Sequence, residues 1–224
     1  MIQLLALHGI QGSRQGWLGV ARSLDGVCEV VAPNLRGRGE AFRGTHADDY
    51  RLQGFVDDAR AAADHLIDAG PFILAGWSMG ASVALEYLSD PRARRPHALI
   101  LISATPCLAR VNWFRSDGRA LLDEIAERER RLSIKGGADH DAVAWTWQSI
   151  RHTDQRSMLP GIDLPTLIIH GSDDQDCPLH HAHELAHGMP GARLTVIEGG
   201  GHSLLTQHTE QVSEHIQSFL RVLG

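Results

Sequence analysis

Short apolar runs of strand length recur along the chain and alternate with longer segments of mixed polarity. Runs of this length, separated by stretches long enough for a crossover, are typical of a parallel sheet whose strands are joined by helices. The sequence therefore predicts an α/β fold with a mostly parallel sheet of about six strands flanked by helices. The predicted strands cover residues 2–7, 27–32, 72–75, 98–103, 166–170 and 193–198.

A helical period stands out between the second and third of these strands. Over residues 52–67 the apolar side chains recur at intervals of three and four, which places them on one face of a helix. Gly70 and Pro71 then end the segment before the next strand. We expect an amphipathic helix that packs on the core and has no function of its own.

The connection between the strands at 98–103 and 166–170 is much longer than a crossover needs. We interpret residues 107–158 as a small helical lid inserted into an α/β core made of residues 1–106 and 159–224. The insertion holds nine basic and eight acidic residues, so it is nearly neutral, and its charged stretch 119–132 is interpreted as a solvent-facing helix surface. Its four large aromatic residues are Trp113, Phe114, Trp145 and Trp147.

Composition narrows the range of partners. A chain of 224 residues is most simply one domain, and its net charge of −6 argues against nucleic acid as a main partner. No apolar run approaches the roughly 20 residues of a membrane span, and the start of the chain lacks the features of a signal peptide. The three cysteines, Cys28, Cys107 and Cys177, are odd in number and widely spaced, which favours reduced thiols and a cytoplasmic location.

The most specific motif is Gly76-Trp77-Ser78-Met79-Gly80, which lies between an apolar strand and a helix-like stretch. In this context the pattern predicts a nucleophile elbow, a sharp turn that exposes the serine at the start of a helix. Glycines two residues before and after the serine allow the two backbones to approach closely. An ordinary glycine-rich turn is the alternative, and the flanking strand and helix weigh against it.

A serine nucleophile needs a base and a group that orients the base. His202 is the predicted base, because it follows the last strand and a flexible Gly199-Gly200-Gly201 loop. Three aspartates follow the strand at 166–170, and we select Asp174 as the orienting acid. Asp173 and Asp176 are interpreted as turn residues that bond their own backbone.

Acyl transfer also requires donors for the developing oxyanion. The backbone N–H groups of Ile10, after the first strand, and Met79, in the elbow, are the predicted donors. His8 precedes this loop, and we expect it to brace the backbone rather than to react.

These elements, together with Asn34 to Gly39 and in this order, resemble the α/β-hydrolase superfamily over nearly the whole chain. The resemblance implies a Ser-His-Asp triad, an oxyanion hole and no cofactor. It also implies that the first two strands of an eight-stranded sheet are absent here. Trp77, the segment Ser103 to Leu108 and Trp113 resemble more narrowly the pimeloyl-acyl-carrier-protein methyl ester esterases, and on this basis Trp77 and Trp113 are candidate substrate-binding residues.

One further motif fits a different chemistry. His183-Glu184-Leu185-Ala186-His187 matches the zinc-protease pattern, with both histidines on one helix face. No third histidine follows at the extended spacing, and a chain with 14 histidines can produce the pattern by chance. We therefore expect a solvated helix and no catalytic metal.

Three classes of function remain open. The favoured one is a serine hydrolase that cleaves carboxylic esters with short to medium acyl chains through an acyl-enzyme, with a carrier-protein-bound methyl ester as one candidate substrate. The second uses the same triad on a thioester or lactone, for carbon–carbon cleavage, or for peracid formation. The third is a non-catalytic ligand receptor on the same fold. The expected partners are a small ester and, under the narrower resemblance, an acyl carrier protein whose acidic surface meets Arg115 or Arg119.

Overall fold

The computed structural model describes residues 1–134 and 136–224 and contains a single six-stranded sheet in the order β2-β1-β3-β4-β5-β6. All five neighbouring strand pairs are parallel. The predicted α/β architecture is therefore confirmed, and the six predicted strands are present with ends shifted by up to two residues. The strands are β1 Ile2–Leu7, β2 Cys28–Val31, β3 Phe72–Trp77, β4 Ala98–Ile102, β5 Thr166–Gly171 and β6 Ala192–Ile197.

Helices cover both faces of this sheet. The predicted helix at 52–67 is observed as α2, Leu52–Leu66, and Phe55, Val56 and Ala59 on its apolar face are buried. None of the described helices combines the length and the apolar character that crossing a bilayer needs. The helices are α1 Leu18–Ser23, α2 Leu52–Leu66, α3 Met79–Tyr87, α4 Gly118–Arg131, α5 His140–Ile150, α6 His180–Gly188, α7 Leu204–Gln207 and α8 Thr209–Leu223.

The sheet separates two hydrophobic clusters because successive strand residues point to opposite faces. In β1, Leu5 and Leu7 belong to the cluster under α2 and α3, whereas Leu4 and Ala6 belong to the cluster under α1 and α8. Strands buried on both faces read as continuous apolar runs, which explains why the strand signal in the sequence is clear.

The segment between β4 and β5 contains α4 and α5, and its two ends lie side by side. Cys107 and Asp154 form an isolated antiparallel bridge, and the N–H of Leu108 donates to the carbonyl of Thr153 over 2.9 Å. The N–H of Gln155 donates to the carbonyl of Pro106 over 2.8 Å. We call residues 107–158 the insertion.

The prediction that residues 119–132 form a solvent-facing helix surface is only partly right, because α4 also has a buried face. Leu121, Ile125 and Arg128 on one of its faces are buried. The arginine is buried because it is paired, as described below, and a count of charges along the helix cannot reveal the pairing.

Candidate active site

The elbow of the predicted nucleophile lies between β3 and α3. Ser78 has φ of 56° and ψ of −120°, a conformation that non-glycine residues rarely adopt. A Cβ on Gly76 would collide with the carbonyl of Gly80, and one on Gly80 would collide with the carbonyl of Leu7. The two glycines of the motif are therefore required by the close approach of strand, turn and helix, which agrees with a nucleophile elbow.

The structure brings Ser78, His202 and Asp174 together at the carboxyl ends of the strands. His202 Nε2 lies 2.8 Å from Ser78 Oγ, and His202 Nδ1 lies 2.8 Å from Asp174 Oδ2. A carboxylate can only accept, so Nδ1 carries the proton and Nε2 is free to accept from the serine hydroxyl. All three residues are buried, with Ser78 2% exposed.

Asp174 is held by its own loop, residues 172–178, which we call the acid loop. Its Oδ1 accepts from the backbone N–H groups of Asp176, over 2.9 Å, and Cys177, over 2.8 Å. Asp173 is exposed and accepts from the hydroxyl of Ser172 over 2.9 Å.

The prediction that Asp176 is a turn residue is wrong. Its carboxylate is buried and paired with Arg128, Nε to Oδ1 2.6 Å, and with Arg131, Nη1 to Oδ2 2.9 Å. Burial alone would raise the pKa of this carboxyl, but hydrogen bonds from Arg131 and the charge of Arg128 hold it well below its usual range. Both arginines are distant in sequence, so loop chemistry gives no sign of this pair.

The backbone of His202 is also fixed. Its carbonyl accepts from the indole Nε1 of Trp77 and from the hydroxyl of Ser103, each over 3.1 Å. Ser103 follows β4 and has a positive φ of 47°. The sequence places Ser103 in the segment of narrower resemblance but gives it no role, and its position directly after a strand is the signal that could have indicated one. His170 was missed as well. It is buried beside Asp174, with Nε2 3.6 Å from Oδ2, and stands out in sequence as a polar residue in an apolar strand.

The predicted oxyanion donors, Ile10 and Met79, belong to two segments that adjoin Ser78. Met79 is the first residue of α3, where N–H groups have no intrahelical acceptor. Residues 8–13 form the second part, which we call the oxyanion loop, and it abuts the elbow so closely that a Cβ on Gly9 would lie 3.2 Å from the Ser78 Cβ. The carbonyl of Ile10 accepts a hydrogen bond from the buried guanidinium of Arg38, and this bond helps to fix the oxyanion loop.

His8 braces the backbone, as predicted. Its Nε2 accepts from the N–H of Leu35 over 3.0 Å, so Nδ1 carries the proton and donates to the carbonyl of Gly9 over 2.9 Å. Burial lowers the pKa of His8 to about 3, and the imidazole is neutral at physiological pH. Both ring nitrogens of His8 are therefore engaged by backbone groups.

Aromatic side chains form the wall around the imidazole. The ring of Trp77 lies 5.9 Å from that of His202, and the ring of Trp113 lies 6.4 Å from it on the insertion side. Trp113 also packs on Trp147, whereas Trp145 stacks on Tyr50 at 5.8 Å, away from the imidazole. A cavity of 520 Å³ borders Trp77, Gly12 and Ser203.

The histidines of the zinc-like motif lie on α6. His183 and His187 are exposed with ring centroids 6.5 Å apart, and Glu184 pairs with Arg110 over 2.9 Å. Among the described residues, three ligand atoms within 4.8 Å of one another come from Asp174, Asp176 and His202. Asp176 already pairs there with two arginines, so this cluster offers a poor set of ligands for a cation.

Similarity to known proteins extends over most of the chain. The chain is 26% identical over 239 residues to a pimeloyl-[acyl-carrier protein] methyl ester esterase of Nitrosomonas europaea, covering 93% of this chain and 91% of the relative. It is 26% identical over 228 residues to a non-heme haloperoxidase of Rhodococcus erythropolis, covering 85% and 81%.

Among solved structures, an esterase from Exiguobacterium antarcticum superposes with a TM-score of 0.81 at 23% identity, over 99% of this chain and 92% of that one, which shows the shared fold. The model of the alpha/beta hydrolase family matches residues 4–215. The chain therefore belongs to the α/β hydrolase family.

Proposed function

We propose that the protein hydrolyses carboxylic esters through an acyl-enzyme formed on Ser78. The observation that carries this proposal is the unbroken chain of contacts from Ser78 Oγ to His202 and on to Asp174, each 2.8 Å long and buried. In this arrangement His202 takes the serine proton as Ser78 attacks, and Asp174 stabilises the imidazolium that forms.

The remaining steps follow from the same groups. The N–H groups of Ile10 and Met79 receive the oxyanion, and His202 returns its proton to the leaving alcohol. A water then takes the place of the alcohol, and His202 activates it to release the acid and regenerate Ser78. The enzyme needs no cofactor in this sequence of steps.

The insertion acts as a lid in this proposal. Ser78 is 2% exposed, and Trp113 of the insertion lies against the ring of His202, so a substrate must displace this wall to enter. Trp77 and Trp113 then contact the acyl chain, and each methylene that they bury contributes about 0.8 kcal/mol. Because the insertion is compact, we expect short to medium acyl chains to react best.

The test combines covalent labelling with burst kinetics. We expect a fluorophosphonate probe to attach one molecule of label per chain at Ser78, and p-nitrophenyl butyrate to give a burst of nitrophenol followed by steady turnover. An unlabelled protein that still binds esters would instead favour a ligand receptor. Turnover of lactones or peracid formation in preference to esters would favour the second class of function.

A second candidate substrate is a methyl ester carried by an acyl carrier protein. Two observations favour it, namely the similarity to the Nitrosomonas europaea esterase and the exposed Arg115 and Arg119 on the insertion. Within the described residues neither side chain forms an ion pair, so both are open to an acidic partner. We expect kcat/KM for the carrier-bound ester to exceed that of the free ester and to fall as salt rises. Equal values for the two esters would leave a general carboxylesterase.

A further inference from the structure

Arg128 of α4 lies where the insertion, the acid loop and the oxyanion loop meet. Its guanidinium donates from Nε to Asp176 Oδ1 over 2.6 Å and from Nη1 to Gln11 Oε1 over 2.7 Å. Only 4% of the residue is exposed. Since the guanidinium is planar and rigid, these two bonds fix the separation and orientation of the loops that they join.

Each of the two partners of Arg128 leads directly to a group of the proposed triad or oxyanion hole. Asp176 donates its backbone N–H to Asp174 Oδ1 over 2.9 Å, so a shift of Asp176 moves the carboxylate that orients His202. Gln11 follows Ile10, whose N–H is a proposed oxyanion donor. A displacement at Arg128 would therefore reach both the acid loop and the oxyanion loop.

Gln11 is bound to the insertion at three points. Besides its bond from Arg128, its Nε2 donates to the carbonyl of Ile125 over 2.8 Å, and its own carbonyl accepts from the N–H of Ala138 over 3.1 Å. The position of the oxyanion loop thus depends on contacts that exist only when the insertion is packed on the core.

Stability alone gives a weak reason for an arginine at this position. Burial lowers the pKa of Arg128, and its Nη2 has no partner among the described residues. Replacing a buried ion pair with apolar groups of similar volume is often neutral or stabilising. The faces of Trp113 and Phe114, each 5.6 Å from the guanidinium carbon, would accommodate an apolar side chain.

We propose that Arg128 is a positioning residue that aligns the acid loop and the oxyanion loop, so that packing of α4 on the core completes the site. This inference rests on the proposed ester hydrolysis at Ser78. It makes closure of the insertion part of the catalytic cycle, because the open state would leave Gln11 and Asp176 without their shared donor.

Arg131 provides a matched control. It also binds Asp176, with Nη1 to Oδ2 2.9 Å and Nη2 to Oδ1 3.0 Å, but its side chain is 45% exposed and these are its contacts with the site. Replacing Arg131 removes one of the two positive charges paired with Asp176, and the hydrogen bond from Arg128 to Gln11 remains.

The experiment compares Arg128→Met with Arg131→Met on p-nitrophenyl butyrate. We expect Arg128→Met to lower kcat by about 10²-fold, the effect of an ångström-scale misplacement, with little change in KM and no loss in melting temperature. Arg131→Met should keep kcat within a few-fold. Arg128→Lys keeps the charge but carries all its donors on one nitrogen of a flexible chain, without the fixed spacing of Nε and Nη1, and should fall between Arg128→Met and wild type.

A double-mutant comparison tests the route through Gln11. We expect Gln11→Met to lower kcat, and to lower it little further when added to Arg128→Met, because the two residues act as one unit. Full additivity would contradict the shared role.

Wild-type kcat in a folded Arg128→Met, or in Arg128→Lys, would overturn the inference while leaving the proposed function intact, provided that the wild type is labelled at Ser78. If Arg128→Met does not fold, the pair Arg128→Met/Asp176→Leu removes both buried charges, and Arg128→Lys keeps the charge. Reduced kcat in these variants would support the inference. If the wild type itself is neither labelled at Ser78 nor active on esters, the proposed function is rejected.

Discussion

The loops at the strand ends and the insertion hold their parts of the site by different means. Ser78 is held by backbone geometry, because a strand, a turn and a helix leave it one conformation. Trp113 and Arg128 are held by side-chain contacts to residues far away in sequence. Backbone geometry leaves the proposed nucleophile little freedom, whereas side-chain contacts between distant segments can form and break if the insertion opens as proposed. We expect changes in the first region to abolish chemistry and changes in the second to adjust it.

The insertion itself is divided in the same way. Its Trp113 end faces His202, and its Trp145 end stacks on Tyr50 of the segment before α2. Ser149 also donates to the carbonyl of Ala47 over 2.6 Å on that side. One end therefore belongs to the site and the other fastens the insertion to the core.

The largest effect is expected at the elbow. Ser78→Ala should lower kcat by about 10⁶-fold, because the members of a triad act as a unit. Ser82→Ala is the matched control, since Ser82 is a buried serine one turn further along α3. It should retain nearly full turnover. Steady-state hydrolysis of p-nitrophenyl butyrate measures both variants. Substantial activity in Ser78→Ala would reject the mechanism.

The acid loop offers the next test of backbone-fixed groups. Asp174→Asn should lower kcat by about 10⁴-fold, because the backbone donors of Asp176 and Cys177 hold its carbonyl oxygen and turn its NH₂ group toward His202 Nδ1, which favours the wrong imidazole tautomer and removes the negative charge that stabilises the imidazolium. Asp173→Asn, on the exposed neighbour, should behave as wild type. If Asp173→Asn were inactive and Asp174→Asn active, the acid would be misassigned.

At the insertion the expected change is in selectivity. Trp113→Ala removes part of the wall beside His202, and the ratio of kcat/KM for octanoyl to butyryl esters should rise by about tenfold or more. Trp145→Ala should leave this ratio unchanged, because its ring packs on Tyr50. A change of equal size in both variants would show that the two ends of the insertion are not distinct.

Burial of neutral His8 in the oxyanion loop should make the free energy of unfolding depend on pH. The folded state holds His8 neutral down to a pKa of about 3, whereas the unfolded chain binds this proton near pH 6.5. The unfolded state therefore holds more protons between these values, and stability falls as pH decreases through this window. Each such histidine contributes up to about 1.4 kcal/mol per pH unit.

Urea unfolding at pH 7, 6 and 5 measures this slope. His8→Gln should be less stable than wild type at pH 7 and should show a shallower loss towards pH 5. Burial also lowers the pKa of His181, to about 4, so part of the slope persists. His183→Gln, an exposed control, should keep the wild-type slope. The same slope in His8→Gln and wild type would mean that His8 is not held neutral.

The contrast between the loops at the strand ends and the insertion also separates what the sequence predicts from what it does not. The strands and the positions of Ser78, Asp174 and His202 follow from apolar runs and the glycines and aspartates directly after them. The partners of Asp176 do not, because Arg128 and Arg131 lie 48 and 45 residues away. Nor does the burial of Arg128, since the adjacent residues Glu127, Glu129 and Arg130 are all charged. Local patterns encode turns and strand ends, whereas a pair across two elements depends on how the insertion packs.

The smallest effect is expected at α6, where the zinc-like motif lies outside both regions. The double variant His183→Ala/His187→Ala should keep kcat and KM, and its melting temperature should be equal or slightly higher, because both side chains are exposed and alanine favours the helix. Glu184, which a zinc protease would use as its base, is engaged by Arg110 and lies 3.6 Å from Arg156. We expect turnover to survive incubation with a chelator in wild type and variant alike. A different result would contradict this: the chelator abolishes wild-type turnover, added zinc restores it, and zinc does not restore it in the double variant. That result would place the catalytic site on α6 instead of at the strand ends, and the predictions for Ser78 and Asp174 would then fail.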